Sequence, residues 1–209
     1  MIANNDSIQK IKKDFLLNKI NIIYNNLCLT FFCKANILLC RRYIMVILGI
    51  DPGFAIVGWG VLECVNGKFR VLGYGSITTP AKTPIEDRLN QIYDGMNTII
   101  DKYKPEVLAI EELFWNTNQK TGICVAEARG IILLSAYRKK LKIFEYTPLQ
   151  VKQAVVGYGR AEKKQVITMV TTLLNLPKPP KPDDTADALA LAICHGHAGS
   201  NVLSKYIKM

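Results

Sequence analysis

From residue 43 onward the chain alternates two hydrophobic patterns: short continuous apolar runs, and longer runs in which apolar residues recur every three or four positions. Tyr43–Ile50 is a solid β-branched and aliphatic run, the pattern of a buried strand. Asp51-Pro52-Gly53 turns the chain, and Phe54–Cys64 follows as a second strand. Asn66-Gly67 is a hairpin signal that brings Phe69–Thr78 back antiparallel. Thr83-Pro84 opens an amphipathic helix to about Tyr103, with Leu89, Ile92, Met96, Ile99 and Ile100 at helical spacing. Glu106–Glu112 holds Val107-Leu108-Ala109-Ile110, another buried strand, and ends in two carboxylates. Thr121–Lys142 reads as a helix with a basic end at Arg138-Lys139-Lys140, and Lys142–Tyr146 as a short strand. Pro148–Val156 and Ala161–Leu174 read as helices separated by Gly157-Tyr158-Gly159; after a Pro/Lys loop, Asp184–His195 reads as the last helix. The order βββ-α-β-α-β-α-α-α predicts an α/β domain: a mixed five-stranded sheet, its first three strands antiparallel, flanked by helices.

The first 44 residues lack this pattern. All 14 glycines and all 9 prolines lie beyond them, and they contain no Glu. Their longest uncharged run, Ile20–Cys33, is interrupted by Asn and falls short of the roughly 20 apolar residues a membrane span needs. No small-residue cleavage site marks a secretory signal. Residues 1–44 are therefore read as an extension outside the main domain, either a helical appendage or translated upstream sequence with the natural start at Met45, and residues 45–209 as that domain. The net charge of +10 favours an anionic partner such as nucleic acid, although Lys10, Lys12, Lys13, Lys19, Lys34, Arg41 and Arg42 place half of it in the extension. The six cysteines form no CxxC pair, which fits a reducing, cytoplasmic setting. Cys194-His195-Gly196-His197 has poor spacing for a tetrahedral metal site and is read as a polar helix end.

The chemistry lies in carboxylates. Asp51 closes the first apolar strand and Glu111 the fourth, and ligands of open α/β sheets gather at strand carboxyl ends. Asp51 also suits a plain Asp-Pro-Gly turn. Glu111 is harder to dismiss, because a charge following Val-Leu-Ala-Ile is costly unless it is paired or bound to metal. Asp184 and Asp187, three apart on a helix, share a face and repel unless a cation lies between them. Asp183 is expected to cap that helix. Four carboxylates suit hard cations such as Mg²⁺ or Mn²⁺. Two such ions about 3.5–4 Å apart are the apparatus of phosphodiester displacement.

Ile47-Leu48-Gly49-Ile50-Asp51-Pro52-Gly53, Ala109-Ile110-Glu111, Val151–Gly157, Ala161-Glu162-Lys163 and Asp184-Thr185-Ala186-Asp187-Ala188-Leu189-Ala190 together resemble the RuvC Holliday-junction resolvases, in order and spacing, from about Met45 to His197. The resemblance implies a ribonuclease H-like fold and a homodimer that nicks two strands of a four-way DNA junction symmetrically in recombination and repair. It also implies partnership with the RuvA–RuvB branch-migration complex and two Mg²⁺ per site, with Mn²⁺ substituting. By motif match the metal ligands are Asp51, Glu111, Asp184 and Asp187, with Asp51 shared between the ions. The Ala-Ile-Glu register selects Glu111 over Glu112. Lys152 and Lys163 match basic positions near the scissile phosphate, and Phe114, rather than Trp115, matches the position that stacks on bases at the junction centre. Arg160, in the Gly157–Arg160 loop, is a further candidate for phosphate contact, although a plain helix–helix turn explains the glycines equally well.

Three other readings compete. A sugar-kinase or actin-like ATPase shares a Gly-Ile-Asp-x-Gly strand but needs a second copy of that half, which the sequence lacks. A non-catalytic nucleic-acid-binding module would leave the carboxylates without a purpose. A ribonuclease H-like enzyme acting on RNA, as in rRNA processing, is the alternative within the nuclease class.

Overall fold

The structure, a computed structural model, describes residues 44–113 and 119–206. The expectations for residues 1–43 and for Phe114 and Trp115 fall outside the described residues. Five strands, β1 (Ile44–Asp51), β2 (Ile56–Val65), β3 (Lys68–Thr78), β4 (Val107–Glu111) and β5 (Lys142–Tyr146), form one sheet in the order β3-β2-β1-β4-β5. β1 pairs antiparallel with β2 and parallel with β4; β2–β3 is antiparallel and β4–β5 parallel. The helices among the described residues are α1 (Ile85–Tyr103), α2 (Gln119–Arg138), α3 (Pro148–Val156), α4 (Lys163–Leu173) and α5 (Asp183–Tyr206), with β4 between α1 and α2 and β5 between α2 and α3. The mixed sheet and the element order agree with the sequence pattern.

Alternation along β1 sorts its side chains onto two cores. Met45 and Ile47 face α3, α4 and α5, where Val151, Val155, Val166, Val170 and Leu189 are buried. Leu48 and Ile50 face α1 and α2, packing with Ile92, Met96, Ile132 and Ala136. Burying each such aliphatic side chain contributes roughly 1.5–3 kcal/mol, so the sheet is held from both faces. Because Ile50 and Ile110 belong to the α1/α2 core, the period of two turns the next residues, Asp51 and Glu111, toward the α5 side. Ile50 pairs with Ile110 in the parallel register; Asp51 and Glu111 thus close neighbouring strands at the same end.

Local chemistry explains the boundaries. Asn66 and Gly67 have φ of 52° and 77°, the left-handed pair a tight hairpin turn demands. α3 is fixed by a capping box in which Thr147 and Gln150 satisfy each other's backbone N–H groups, with Pro148 at its start. α4 begins later than the pattern predicts, at Lys163, because Glu162 and Gln165 form a second capping box. α2 ends earlier, at Arg138, where the chain turns through Lys140 with φ of 62° before entering β5. α5 runs past His195 to Tyr206, and Asp183 lies inside its first turn rather than capping it.

Candidate active site

α5 crosses the α3/α4 face of the sheet with its backbone against the strands. A Cβ placed on Gly49 of β1 would come 2.0 Å from the Ala188 carbonyl oxygen, and one on Gly58 of β2 would come 2.0 Å from that of Asp184. Only glycine permits so close an approach. Ala186, Ala188, Ala190 and Ala192 keep the contacting helix equally lean. Since Gly58 pairs with Asp51 across the β1–β2 ladder, this contact brings the first turns of α5 to the strand ends that carry Asp51 and Glu111.

Asp51, Glu111, Asp184 and Asp187 consequently act on one another. Burial pushes the Asp51 carboxyl up to about 7, with the negative charges of Asp187, Glu111 and Asp184 adding to the rise and Lys163 opposing it. Burial also raises Glu111, reinforced by Asp187. Lys163 Nζ lies 3.2 Å from Asp187 Oδ2 and 3.7 Å from Asp183 Oδ2. Burial raises Asp187 and outweighs the lysine, which pulls it down, so the net shift is upward. Lys163 itself is raised: burial works against the ammonium, and the charges of Asp187, Asp183 and Asp184 overcome it.

A cavity of about 210 Å³ opens here, lined by Glu111, Asp187, Lys152 and Lys163 over an apolar floor that includes Val151 and Leu191. Arg160 is exposed on the loop between α3 and α4 and does not line the cavity. Among the described residues, no three carboxylate, imidazole or thiol groups stand close enough to hold an ion without side-chain movement. The donor set still fits a hard divalent cation: it is all carboxylate oxygen, and its excess negative charge is met by one half-exposed lysine.

The Cys194–His197 segment behaves as a helix interior. His195 Nδ1 meets the Tyr146 hydroxyl at 2.7 Å and burial lowers the imidazole to about 4, so it is neutral. Cys194 Sγ contacts the Gln150 carbonyl at 3.8 Å. Arg129 escaped the sequence reading. It lies within α2 between small residues, yet its side chain is 12% exposed, its Nε reaches the Glu111 carbonyl at 3.5 Å and its Nη2 meets Glu145 Oε2 at 2.8 Å.

Comparison with known proteins agrees with this arrangement. The family model for crossover junction endodeoxyribonuclease RuvC matches residues 47–195. The chain belongs to the RuvC family. A RuvC from Alkaliphilus oremlandii is 58% identical over 156 residues, spanning 75% of this chain and 95% of that protein. One from Halothermothrix orenii is 59% identical over 154 residues, spanning 74% and 93%. Among solved structures, Thermus thermophilus RuvC in complex with a Holliday junction substrate superposes with a TM-score of 0.72 at 33% identity, over 76% of this chain and 96% of that one. The yeast mitochondrial Holliday junction resolvase, at 15% identity and a TM-score of 0.55, shares the fold. The fold is thus that of the RuvC nucleases, ribonuclease H-like, and the ATPase and non-catalytic readings fall away.

Proposed function

We propose that this chain is a structure-selective endonuclease that resolves four-way DNA junctions by symmetric, Mg²⁺-dependent phosphodiester hydrolysis in recombination and repair. The observation that carries the reading is the convergence of three elements: β1 carries Asp51, and β4 and the start of α5 bring Glu111, Asp184 and Asp187 near enough for their charges to add to the rise that burial gives its carboxyl, in a RuvC-family fold. Asp51, Glu111, Asp184 and Asp187 would hold two Mg²⁺, which supply water activation and neutralisation of phosphate charge. Lys152 and Lys163, both lining the cavity beside Glu111, orient the scissile phosphate. Arg160 contacts the flanking backbone, and Phe114 stacks on a splayed base at the junction centre. The RNA alternative is not favoured: the matching relatives are named for crossover junctions, and one solved relative holds a Holliday junction.

Symmetric nicking needs two sites, and the described residues supply one. A homodimer would complete the pair. Ile123, Leu134 and Tyr137 of α2 are 54%, 48% and 74% exposed and fall along one side of the helix, a stripe suited to a second copy. RuvA–RuvB is the expected branch-migration partner. No helix among the described residues is long and apolar enough to cross a membrane, and the cytoplasm is the expected compartment. Residues 1–44 are read as an extension outside the nuclease domain, in keeping with a family match that begins at residue 47.

With Mg²⁺, the protein is expected to convert a synthetic four-way junction into nicked duplexes, while Asp51→Asn binds the junction without cutting it. A dimeric protein that leaves the junction intact in both Mg²⁺ and Mn²⁺ overturns the proposal.

A further inference from the structure

Arg129 is a charged side chain in a place where charge is expensive. It projects from the middle of α2 between Ala128, fully buried, and Gly130, and is itself 12% exposed. Removing a guanidinium from water costs several kcal/mol unless its donors are met. Two groups face it, both at the carboxyl ends of the parallel strands. Nε donates to the Glu111 carbonyl at 3.5 Å, and Nη2 forms an ion pair with Glu145 Oε2 at 2.8 Å, without the alignment of a full hydrogen bond. Glu145 pairs with Ile110 across β4–β5, one step before Glu111. The planar fork therefore spans the last two rungs of the ladder, and the Glu112 N–H bond to the Tyr146 carbonyl, 2.9 Å, closes the strand immediately beyond.

We infer that Arg129 is a positioning residue for Glu111, fixing the last peptide of β4 so that the Glu111 carboxylate is presented to the cavity it shares with Asp187. The inference rests on the four-carboxylate reading of the site. Asp51 and Glu111 both close strands that are flanked on each side within the sheet, β1 by β2 and β4, and β4 by β1 and β5. Within the sheet the peptide that follows Glu111 is held through its N–H by the Tyr146 carbonyl, and its own carbonyl is met from outside the sheet. Arg129 reaches it from α2, and fixing that peptide fixes the Cα from which the Glu111 side chain starts. Glu145 is 48% exposed, so its pair with Arg129 serves to aim the fork and contributes little stability of its own.

The test is Mn²⁺ binding to the metal-free, full-length protein, followed by calorimetry, with circular dichroism and thermal unfolding alongside. Arg129→Met is expected to remain folded and to bind Mn²⁺ on the order of ten-fold or more weakly, the usual cost of losing support behind a metal ligand. Glu145→Gln, which leaves the Nε contact in place, should stay within about two-fold of the parent, as expected for a half-exposed ion pair. Folded Arg129→Met that binds Mn²⁺ like the parent overturns the inference. So does Glu145→Gln weakening binding as much as Arg129→Met, because Arg129 would then act only as a strut between α2 and β5. If Arg129→Met does not fold, Arg129→Lys takes its place: weaker Mn²⁺ binding than Glu145→Gln supports positioning, and equality with the parent overturns it. Absence of saturable Mn²⁺ binding by the parent protein refutes the four-carboxylate reading itself, and the inference with it.

Discussion

Asp51 is a carboxyl held where its surroundings oppose its ionisation. Unfolded, it titrates near 3.8; folded and metal-free, at about 7. The native chain therefore binds the extra proton between those values, and stability from this group is fully present below about pH 4 and lost as pH rises through 7. The largest effect is on the order of 4 kcal/mol, from about 1.4 kcal/mol per pH unit. His195 has the opposite sign: burial lowers it to about 4, so its contribution grows as pH climbs from 4 toward 6.5. The two offset each other in the wild-type pH profile, and Asp51→Asn separates them. In chelator, the variant's advantage in unfolding free energy over wild type should be small at pH 4.5 and reach a few kcal/mol at pH 8; saturating Mg²⁺ should narrow the gap by stabilising only the parent. A difference independent of pH between 4.5 and 8, followed by thermal or denaturant unfolding, would show that Asp51 is not under this electrostatic load. Metal competes with the same proton, so Mg²⁺-dependent cleavage is expected to rise with pH through about 7.

At the level of elements, the site depends on how closely α5 lies on β1 and β2. Gly49→Ala would drive a methyl into the Ala188 carbonyl, and Gly58→Ala into that of Asp184. Backbone atoms cannot swing aside as a side chain can, so each substitution should cost about 3 kcal/mol or more. The two should differ in function. Gly58→Ala displaces the turn that carries Asp184 and should abolish cleavage in the fraction that remains folded, whereas Gly49→Ala acts one turn further along and should chiefly lower the midpoint of unfolding. Side-by-side denaturation and junction-cleavage assays check this. Much of the framework was legible from the chain because its signals are local. Continuous apolar runs marked β1 and β4, Asn66-Gly67 marked the hairpin, and the three-residue spacing of Asp184 and Asp187 placed both near one face. The α2 terminus was misread because Arg138-Lys139-Lys140 looks helical, while the turn at Lys140 is set by the entry into β5. Arg129 left no trace in the sequence pattern: nothing in Glu-Ala-Arg-Gly reveals that this arginine points inward, since its partners Glu111 and Glu145 come from two other elements.

For the molecule as a whole, the decisive property is how many sites act together. One domain carries one carboxylate cluster, but resolving a junction into two ligatable duplexes requires paired cuts, and the cuts must be coordinated before the branches rearrange. The exposed stripe of Ile123, Leu134 and Tyr137 offers a surface for that pairing, and it lies on the helix whose inner side packs through Ala128, Ile132 and Ala136 against the sheet. A double substitution, Leu134→Glu with Tyr137→Glu, sets four like charges against one another across the proposed two-fold interface while leaving that inner side untouched. Sedimentation should then show a monomer, and unfolding should stay within about 1 kcal/mol of the parent subunit, as expected for substitutions at exposed positions. Mn²⁺ binding should persist, because each cluster is built within one chain. What should disappear is paired nicking. On a supercoiled plasmid carrying an extruded cruciform, the dimer is expected to yield linear product directly, from two cuts within one binding event. The monomer should yield nicked circles or nothing. A double variant that still sediments as a dimer would move the interface to another surface, and a true monomer that still linearises the plasmid would show that the two cuts need no pairing.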